Sequence, residues 1–247
     1  MSDLLSLAAA GEVGGDFFKE RSSDTLPCQA REGHLFCFDW ARENIDRFET
    51  PTIEHLELVL LSVALGFAVA FALALLAHRR AWIRPPLLAA TGVLYTIPSI
   101  AFFFLMLPIT GFGRDTVVIV LAAYTLQIIY RNTLLGLANV PDSAKDAARG
   151  MGFTDRQVLW RVELPLAVPE IVAGLRIATV STMAIATLAV FINGGGLGGQ
   201  IYGGGNLTFP TNIIIAAAIV IAMALALEAI LLGVQRLATP WRRARTA

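Results

Sequence analysis

The sequence has little charge, few cysteines and few histidines. Only 15% of its 247 residues are Asp, Glu, Lys or Arg, whereas 56% are hydrophobic. An average soluble domain has about 25% charged residues, and a soluble enzyme of this length needs more polar surface than this chain offers. The hydrophobic content also excludes a disordered chain, and two cysteines exclude a small disulfide-rich protein. The composition therefore indicates a membrane protein.

Sequence motifs of catalysis are missing as well. The glycines at 194–199 and 203–205 do not form a phosphate-binding loop, because no lysine follows them; we interpret them as a flexible outer loop. His34, His55 and His78 lack the paired spacing of metal ligands, and we interpret them as interfacial residues. No Ser-His-Asp arrangement can be identified. We predict a protein that is not an enzyme and has no cofactor, no metal and, with a net charge of 0, no nucleic-acid partner.

Five long apolar runs are present instead. The run 58–77 has 20 consecutive uncharged residues, which at about 1.5 Å per residue cross a hydrocarbon core of about 30 Å. The others lie at 85–113, 116–140, about 168–192 and about 211–232. The pattern predicts an all-α, polytopic membrane protein with about five transmembrane helices.

The basic residues are distributed unevenly around these runs. If the N-terminus lies outside the membrane, 13 of the 19 Lys and Arg residues lie inside and 6 lie outside. Cytoplasmic loops carry the excess of Lys and Arg in membrane proteins. We therefore predict that the N-terminus is outside and the C-terminus inside.

The same runs divide the chain into parts. We predict an extracytoplasmic arm that ends in an interfacial helix, with Trp40 near the membrane surface and Pro51 as a break. Stretch 4–10 is too short for the core of a signal peptide and lacks a basic flank. The predicted parts are the arm at 1–54, the transmembrane domain at 55–236 and a cytoplasmic tail at 237–247.

Both cysteines, Cys28 and Cys37, lie on the predicted arm. In an oxidising compartment they can close a small loop. The sequence leaves open whether they are bonded.

One polar connection, 141–170, is long for a loop and has the residues of two short helices. The first is predicted to start after Pro141 and to stop at Gly150 and Gly152. The second is predicted to start at a Thr154 cap and to end at Leu164-Pro165. Ordered connections of roughly 30 residues are usually functional.

This connection resembles the EAA loop of ABC importer permeases, whose pattern is Glu-Ala-Ala-xxx-Gly, nine residues, then Ile-x-Leu-Pro. The departures are Asp for Glu and Val for Ile. Segments 40–44, 96–99, 130–133 and 194–198 resemble the osmoprotectant branch, which imports glycine betaine, carnitine or choline. The likeness covers about residues 38–236. The matching loop residues are Asp146, Ala147, Ala148, Gly152, Val162, Leu164 and Pro165.

The resemblance implies a permease subunit in the cell membrane. A second permease subunit, the same or related, would pair with it to form the substrate pathway. A separate ABC ATPase subunit would dock on the cytoplasmic loop, and an extracytoplasmic substrate-binding protein would deliver the solute. Because small side chains let a partner approach the backbone closely, we expect Ala147, Ala148 and Gly152 to form the docking surface.

A polar group in the second apolar run is the candidate for the pathway. It consists of Tyr95, Thr96, Pro98 and Ser99. Pro98 frees a backbone carbonyl one turn earlier, and such a group must be satisfied by protein or water inside a membrane. We predict that this face looks into the pathway or the subunit interface. A packing kink is the alternative.

Glu228 is an isolated carboxylate within the fifth run. An unpaired acid at this depth costs on the order of 2.5–3.5 kcal/mol, and Arg131 and Arg176 are predicted to lie at a similar depth. We predict an ion pair between Glu228 and one of these arginines that is structural in purpose. A role in substrate or proton movement is the alternative.

Three other functions are alternatives to this interpretation of the sequence. One is a permease of the same type for another small solute, such as an amino acid. Another is an ion-coupled secondary transporter, which Glu228 favours, but the missing inverted repeat and the EAA spacing disfavour it. The last is an intramembrane enzyme, which the lack of a catalytic set disfavours.

Overall fold

The computed structural model describes residues 36–202 and 210–240, and within these ranges the protein is helical and contains no strand. This confirms the predicted all-α class. The helices are α1 Phe38–Glu43, α2 Glu49–Arg79, α3 Arg84–Thr96, α4 Ser99–Thr110, α5 Arg114–Ala138, α6 Asp142–Gly150, α7 Asp155–Val158, α8 Leu164–Ile185, α9 Gly198–Tyr202 and α10 Pro210–Ala238. Shorter 3₁₀ turns lie at Ile45–Phe48, Ala81–Ile83 and Ala186–Ile192, and a π-helical turn lies at Leu159–Glu163.

Four continuous helical stretches are long and apolar enough to cross a membrane. They are Ile45–Arg79, Arg114–Ala138, Asp155–Ile192 and Pro210–Ala238. The second predicted span, 85–113, is instead a pair of helices, α3 and α4, bent by 101° between Thr96 and Ser99. Counting this pair as one broken span gives five crossings, as predicted.

The segment from α3 to the first residue of α5, which contains the bent pair, contacts α2 at two positions far apart. Arg84, at the start of α3, donates from Nε and Nη2 to the carbonyls of Ala77 and His78, each at 3.0 Å. Arg114, just after α4, pairs with Glu57 at 2.7 Å. The residues between Glu57 and Ala77 correspond to about 30 Å of helix. The pair therefore traverses the bundle despite its bend.

The bend follows from Pro98 and its neighbour. A residue before proline is driven out of the helical region, and Ile97 is extended, with φ −66° and ψ 127°. This releases the Ile97 carbonyl from helical bonding. The Tyr124 hydroxyl of α5 donates a hydrogen bond to it. The break is therefore satisfied within the protein, as a membrane environment requires.

Helix α5 lies at the centre of the bundle. Half of its most apolar window is buried, against 11% for α10. α2 approaches it closely at Gly66, where a Cβ atom would lie 2.8 Å from the Ala122 carbonyl oxygen. The main core joins α2, α4, α5 and α8, and its largest fully buried members include Leu58, Phe103, Leu121, Met183 and Ile192. The outward face of α10 is thus not covered by any of the described residues.

The N-terminal arm differs from the prediction in two respects. Pro51 is not a break, because α2 begins at Glu49 and Pro51 lies in its first turn, where a missing N–H leaves no helical bond unmade. The predicted boundary between residues 54 and 55 therefore falls inside α2. Trp40 is partly buried and packs against the main core, so it is more than a surface anchor.

The arm is held to the last helix at Cys37. This residue is buried, and its backbone N–H donates to Thr211 Oγ1 of α10 at 3.0 Å. Cys37 is disulfide-bonded. Residues 1–35, with Cys28 and His34, and 241–247 of the predicted tail lie outside the described residues.

Candidate functional site

The segment that resembles the EAA loop begins with α6. A glycine with a left-handed backbone conformation follows the end of this helix. Gly152 has φ +86°, and its N–H donates to the Arg149 carbonyl at 2.9 Å. The N–H of Phe153 donates to the Ala148 carbonyl at 3.1 Å. These two bonds form a Schellman motif, in which glycine is favoured because it has no Cβ. Gly152 therefore reverses the chain, as the sequence predicts for a helix stop.

The second helix of the loop starts at the predicted cap. Thr154 Oγ1 accepts from the Gln157 N–H at 3.4 Å, and Gln157 Oε1 accepts from the Thr154 N–H at 2.8 Å. This reciprocal pair is a capping box. The prediction of a Thr154 cap is confirmed.

Leu164-Pro165 does not end this helix, in contrast to the prediction. The chain continues from α7 through the π-helical turn Leu159–Glu163 into α8, and Pro165 lies in the first turn of α8. Proline lacks an N–H and its ring clashes with the carbonyl four residues earlier. A wider π turn before it accommodates both effects. The loop and the fourth span therefore form one helical stretch, Asp155–Ile192.

The seven matching residues do not lie on one surface. Asp146, Ala147 and Gly152 are exposed, whereas Ala148 is only 1% exposed. Leu164 is buried as well, and Val162 and Pro165 are half-buried. Of the three residues expected to form the docking surface, Ala147 and Gly152 are exposed, whereas Ala148 is covered, close to the turn at Gly152.

One short polar contact joins the loop to the bundle, and an ion pair joins the two helices of the loop. His78 Nε2, at the end of α2, lies 2.6 Å from Glu163 Oε2 in the π-helical turn, and both side chains are largely buried. Arg149 of α6 lies 3.7 Å from Asp155 of α7. His78 is thus more than the interfacial residue that the sequence predicts. Its one signal in the sequence is a place at the end of an apolar run.

Lys145 and Asp142 form a further pair on α6. Lys145 Nζ lies 2.8 Å from Asp142 Oδ1. This hydrogen bond and the positive charge hold the pKa of Asp142 below its usual value. Asp142 stands in the first turn of α6, where a negative charge is favourable.

Within the spans, the structure brings Glu228 together with Arg176. Arg176 donates from Nε to Glu228 Oε1 at 3.0 Å and also from Nη2 to the same oxygen. Its Nη1 donates to Gln235 Oε1 at 2.8 Å, and Gln235 Nε2 donates to the Pro169 carbonyl at 2.9 Å. Arg131 is not part of this cluster and lines a separate pocket.

Gln235 is a member of this cluster that was not predicted from the sequence. A signal was present, because Gln235 follows Glu228 by seven residues, which places both on one face of α10. Together they tie α8 to α10. The side chains of Arg176 and Glu228 remain 23% and 32% exposed.

A cavity of about 760 Å³ lies between α8 and α10. Arg176, Ser181 and Glu228 are the polar residues in its lining, and the rest of the lining is apolar. Partly exposed charges in a span face protein or water rather than lipid. We therefore expect this side of the subunit to be covered by another subunit or by water.

The candidate pathway residues lie at the break between α3 and α4. Tyr95, Thr96 and Pro98 are exposed, and Ser99 is half-buried. The Thr96 hydroxyl donates to the Val93 carbonyl at 2.8 Å, and the Tyr95 ring packs edge-on against Tyr124. The group thus faces outward from the subunit, beside a bent backbone.

At the opposite end of the bundle the glycine segment is closely packed, in contrast to the flexible loop predicted for it. The Gly196 N–H donates to Glu54 Oε2 at 2.9 Å, and a Cβ atom at Gly198 would lie 1.9 Å from the Thr187 carbonyl oxygen. His55 is completely buried there, and its Nε2 lies 3.1 Å from the Met183 carbonyl oxygen. It is a core residue rather than an interfacial one. Glycines 203–205 lie outside the described residues.

Removal of the Glu228 charge should destabilise the protein more than it changes its choice of substrate. In Glu228→Gln, the positive charge of Arg176 loses its counter-charge inside the span. Partial exposure of the side chain reduces the free-energy cost of this loss. We expect about 1–2 kcal/mol of lost stability, less than the roughly 3–5 kcal/mol typical of a fully buried pair. The measurement is the melting temperature of the purified protein, together with the ratio of uptake rates for two solutes.

Glu57→Gln is the matched control, because it breaks the exposed pair with Arg114. Exposed pairs contribute about 0–1 kcal/mol, so this variant should melt close to the parent protein. An unchanged melting temperature in Glu228→Gln together with an altered ratio of uptake rates would favour a functional role for the carboxylate.

The family of the chain is established by comparison with known proteins. A family model described as "Binding-protein-dependent transport system inner membrane component" matches residues 62–244. The choline transport system permease protein OpuBB of Bacillus subtilis (strain 168) is 35% identical over 189 residues, covering 76% of this chain and 87% of that protein. The glycine betaine/carnitine/choline transport system permease protein OpuCB of the same strain is likewise 35% identical over 189 residues, with the same coverage.

A solved structure shows the same fold. The methionine ABC transporter MetNI in an inward-facing conformation matches with a TM-score of 0.69 and 20% identity, covering 78% of this chain and 96% of that chain. The relatives are transport permeases rather than enzymes. The chain therefore belongs to the family of binding-protein-dependent transport system inner membrane components and is a multi-pass membrane permease of an ABC transport system.

Proposed function

We propose that this chain is the permease subunit of an ATP-driven importer for a small osmoprotectant such as glycine betaine, carnitine or choline. The observation that carries the proposal is the 35% identity, over 76% of the chain, to permeases named for choline and for glycine betaine, carnitine and choline transport. Two subunits, the same or related, form one pathway between them. A substrate-binding protein outside the cell delivers the solute.

The loop supports the ATP-driven part of the proposal. The exposed Ala147 and Gly152 offer backbone that a partner can approach, and an ABC ATPase subunit docks there on the cytoplasmic side. From α7 the chain runs without interruption through the π-helical turn into α8. A displacement of the docked loop is therefore transmitted directly to the fourth span.

The helix break at Pro98 is the proposed location of the substrate pathway. The polar side chains at the outer face of the break are Tyr95, Thr96 and Ser99. Tyr95 and Thr96 are exposed, and Ser99 is half-buried. The Thr96 hydroxyl is satisfied by the Val93 carbonyl, but the Tyr95 and Ser99 hydroxyls would be unfavourably placed in lipid, whereas a water-filled path between two subunits suits them. The orientation with the N-terminus outside places the loop with its basic residues in the cytoplasm.

An importer for another small solute, such as an amino acid, is the second candidate. The fold match to a methionine transporter favours it only as a shared fold, because the two chains are 20% identical. A carboxylate-coupled secondary transporter is less favoured, because Glu228 is engaged by Arg176.

Uptake by the reconstituted importer tests the solute class. The chain is reconstituted in proteoliposomes with its ATPase subunit and its binding protein, and uptake of radiolabelled glycine betaine, carnitine and choline is measured beside methionine and histidine. We expect ATP-dependent uptake of at least one quaternary ammonium solute and none of the amino acids. Uptake of an amino acid alone would replace the proposal with the second candidate.

Substitution of Ala147 by Arg tests the docking surface. Ala147 is exposed, so the larger side chain is compatible with the subunit fold but blocks close approach of a partner. We expect uptake to fall about tenfold or more, as for the loss of one strong interface contact. We also expect that ATP hydrolysis no longer responds to the solute. The permease should still insert normally into the membrane.

Ala81→Arg is the matched control for this substitution. It places the same side chain on an exposed residue of the other connection at this end of the bundle, and uptake should stay near the parent rate. Normal coupling in Ala147→Arg would show that the partner docks elsewhere. Ala148 and Gly152 are poor test sites, because substitution there disturbs packing or the left-handed turn.

Thiol labelling tests the pathway at Ser99. In a background with Ser in place of Cys28 and Cys37, we expect Ser99→Cys to react with a membrane-impermeant charged thiol reagent, because water reaches a pathway. Leu105→Cys, at a residue of α4 that is 58% exposed, should react much more slowly in lipid. Equal, slow labelling of both cysteines would favour the packing-kink interpretation of Pro98.

A further inference from the structure

A pocket of about 450 Å³ with a basic lining lies where α2 ends. Its four basic residues come from four helices: His78 from α2, Arg84 from α3, Arg131 from α5 and Lys145 from α6. The remaining lining is apolar, and no acidic residue among the described ranges lines the pocket. The fold thus gathers positive charge from distant parts of the sequence into one concave site.

Two of these charges are not neutralised within the described chain. Lys145 pairs with Asp142 and His78 with Glu163. Arg84 donates only to the carbonyls of Ala77 and His78, which leaves its full charge in place. Arg131 has neither a hydrogen bond nor an ion pair with any described residue. Two guanidinium groups that line one pocket repel each other, and an anion between them would remove that cost.

The residue before Arg131 carries a buried hydroxyl that also lacks a partner among the described residues. Tyr130 is completely buried, and its hydroxyl has no hydrogen-bond partner among the described residues. Buried hydroxyls are almost always hydrogen-bonded. Tyr130 directly precedes Arg131 in α5, so this unsatisfied hydroxyl lies in the same part of the helix as one of the lining arginines.

The apolar surroundings indicate what kind of anion the pocket takes. Leu88 and Leu135 line it and are 36% and 51% exposed, and Trp82, two residues before Arg84, is 75% exposed. Exposed leucines in a span contact acyl chains, and exposed tryptophans are typical of the membrane–water interface. A free inorganic anion would use the basic residues and leave these apolar walls unoccupied.

We propose that this pocket binds the phosphate-bearing headgroup of an anionic phospholipid, with the acyl chains along Leu88 and Leu135. Basic pockets between transmembrane helices are known to hold such headgroups. Arg84 and Arg131 contact the phosphate, and Lys145 carries the contact to α6 of the loop. The bound lipid therefore connects the ends of α2, α3 and α5 to the segment proposed to dock the ATPase. The site itself does not depend on the proposed function.

Fluorescence of Trp82 tests the site directly. Trp40, Trp160 and Trp241 are replaced by Phe, and the chain is placed in nanodiscs of phosphatidylcholine that contain an increasing fraction of brominated phosphatidylglycerol. We expect half-maximal quenching at a several-fold lower fraction than with brominated phosphatidylcholine. Arg131→Gln should raise that fraction about fivefold, the equivalent of about 1 kcal/mol per basic residue at an anionic surface.

Three controls make the result specific. Arg80→Gln removes an equal charge at an exposed residue outside the pocket and should leave the fraction within about twofold of the parent value. Arg131→Lys retains the charge and should do the same. The melting temperature of Arg131→Gln in pure phosphatidylcholine should not fall below that of the parent protein, because Arg131 has no described partner to lose and its repulsion with Arg84 is removed.

Other results would overturn the proposal. Equal effects of Arg80→Gln and Arg131→Gln would mean that only diffuse surface charge attracts the lipid. Equal quenching by the two brominated lipids would mean that no anionic site exists. Relief of the quenching by inorganic phosphate, at an ionic strength matched with sodium chloride, would assign the pocket to a free anion.

Discussion

In a hydrocarbon core every backbone amide and carbonyl must find its partner within the protein, and the other features of this structure depend on that constraint. An uninterrupted helix meets this constraint through its own backbone hydrogen bonds. At the two interruptions described next, another group of the protein forms the missing hydrogen bond. The Tyr124 hydroxyl satisfies Ile97 at the bend of the second span. The Gly113 N–H donates to the Ile192 carbonyl at 2.9 Å where two spans end. Tyr124 thus has a structural role that depends on the break at Pro98.

The charges of Glu228 and Arg176 follow the same rule. Glu228 is accepted in α10 because Arg176 of α8 donates to it, and Arg176 is positioned in turn by Gln235. Gln235 then reaches the carbonyl of Pro169, a residue that itself cannot donate a helical bond. One network therefore satisfies an acid, a base and a backbone carbonyl. It also joins α10 to the bundle, although the most apolar window of α10 is only 11% buried.

Apolar runs and local signals predicted the helical class, the positions of the spans and the Thr154 cap, because each depends on neighbouring residues. Features that depend on distant residues were missed. Hydropathy shows that the apolar segment 85–113 is long enough to cross a membrane. It does not show the relative orientation of the two helices within the segment, so the 101° bend was not predicted. Pro165 reads as a helix end unless the π turn before it is known. The small size of Ala148 predicted exposure, but the left-handed turn at Gly152 folds the loop over it.

Under the proposed function, these contacts form a mechanical connection from the loop to the last span. A helix is stiff along its axis, so α8 follows the loop through the π-helical turn, and the Arg176 network makes α10 follow α8. His78 has the opposite effect, because its pair with Glu163 fixes the same turn to the end of α2. A π turn within an α-helix is a common site of bending. The widened turn therefore lies where the moving and the fixed parts of the subunit meet.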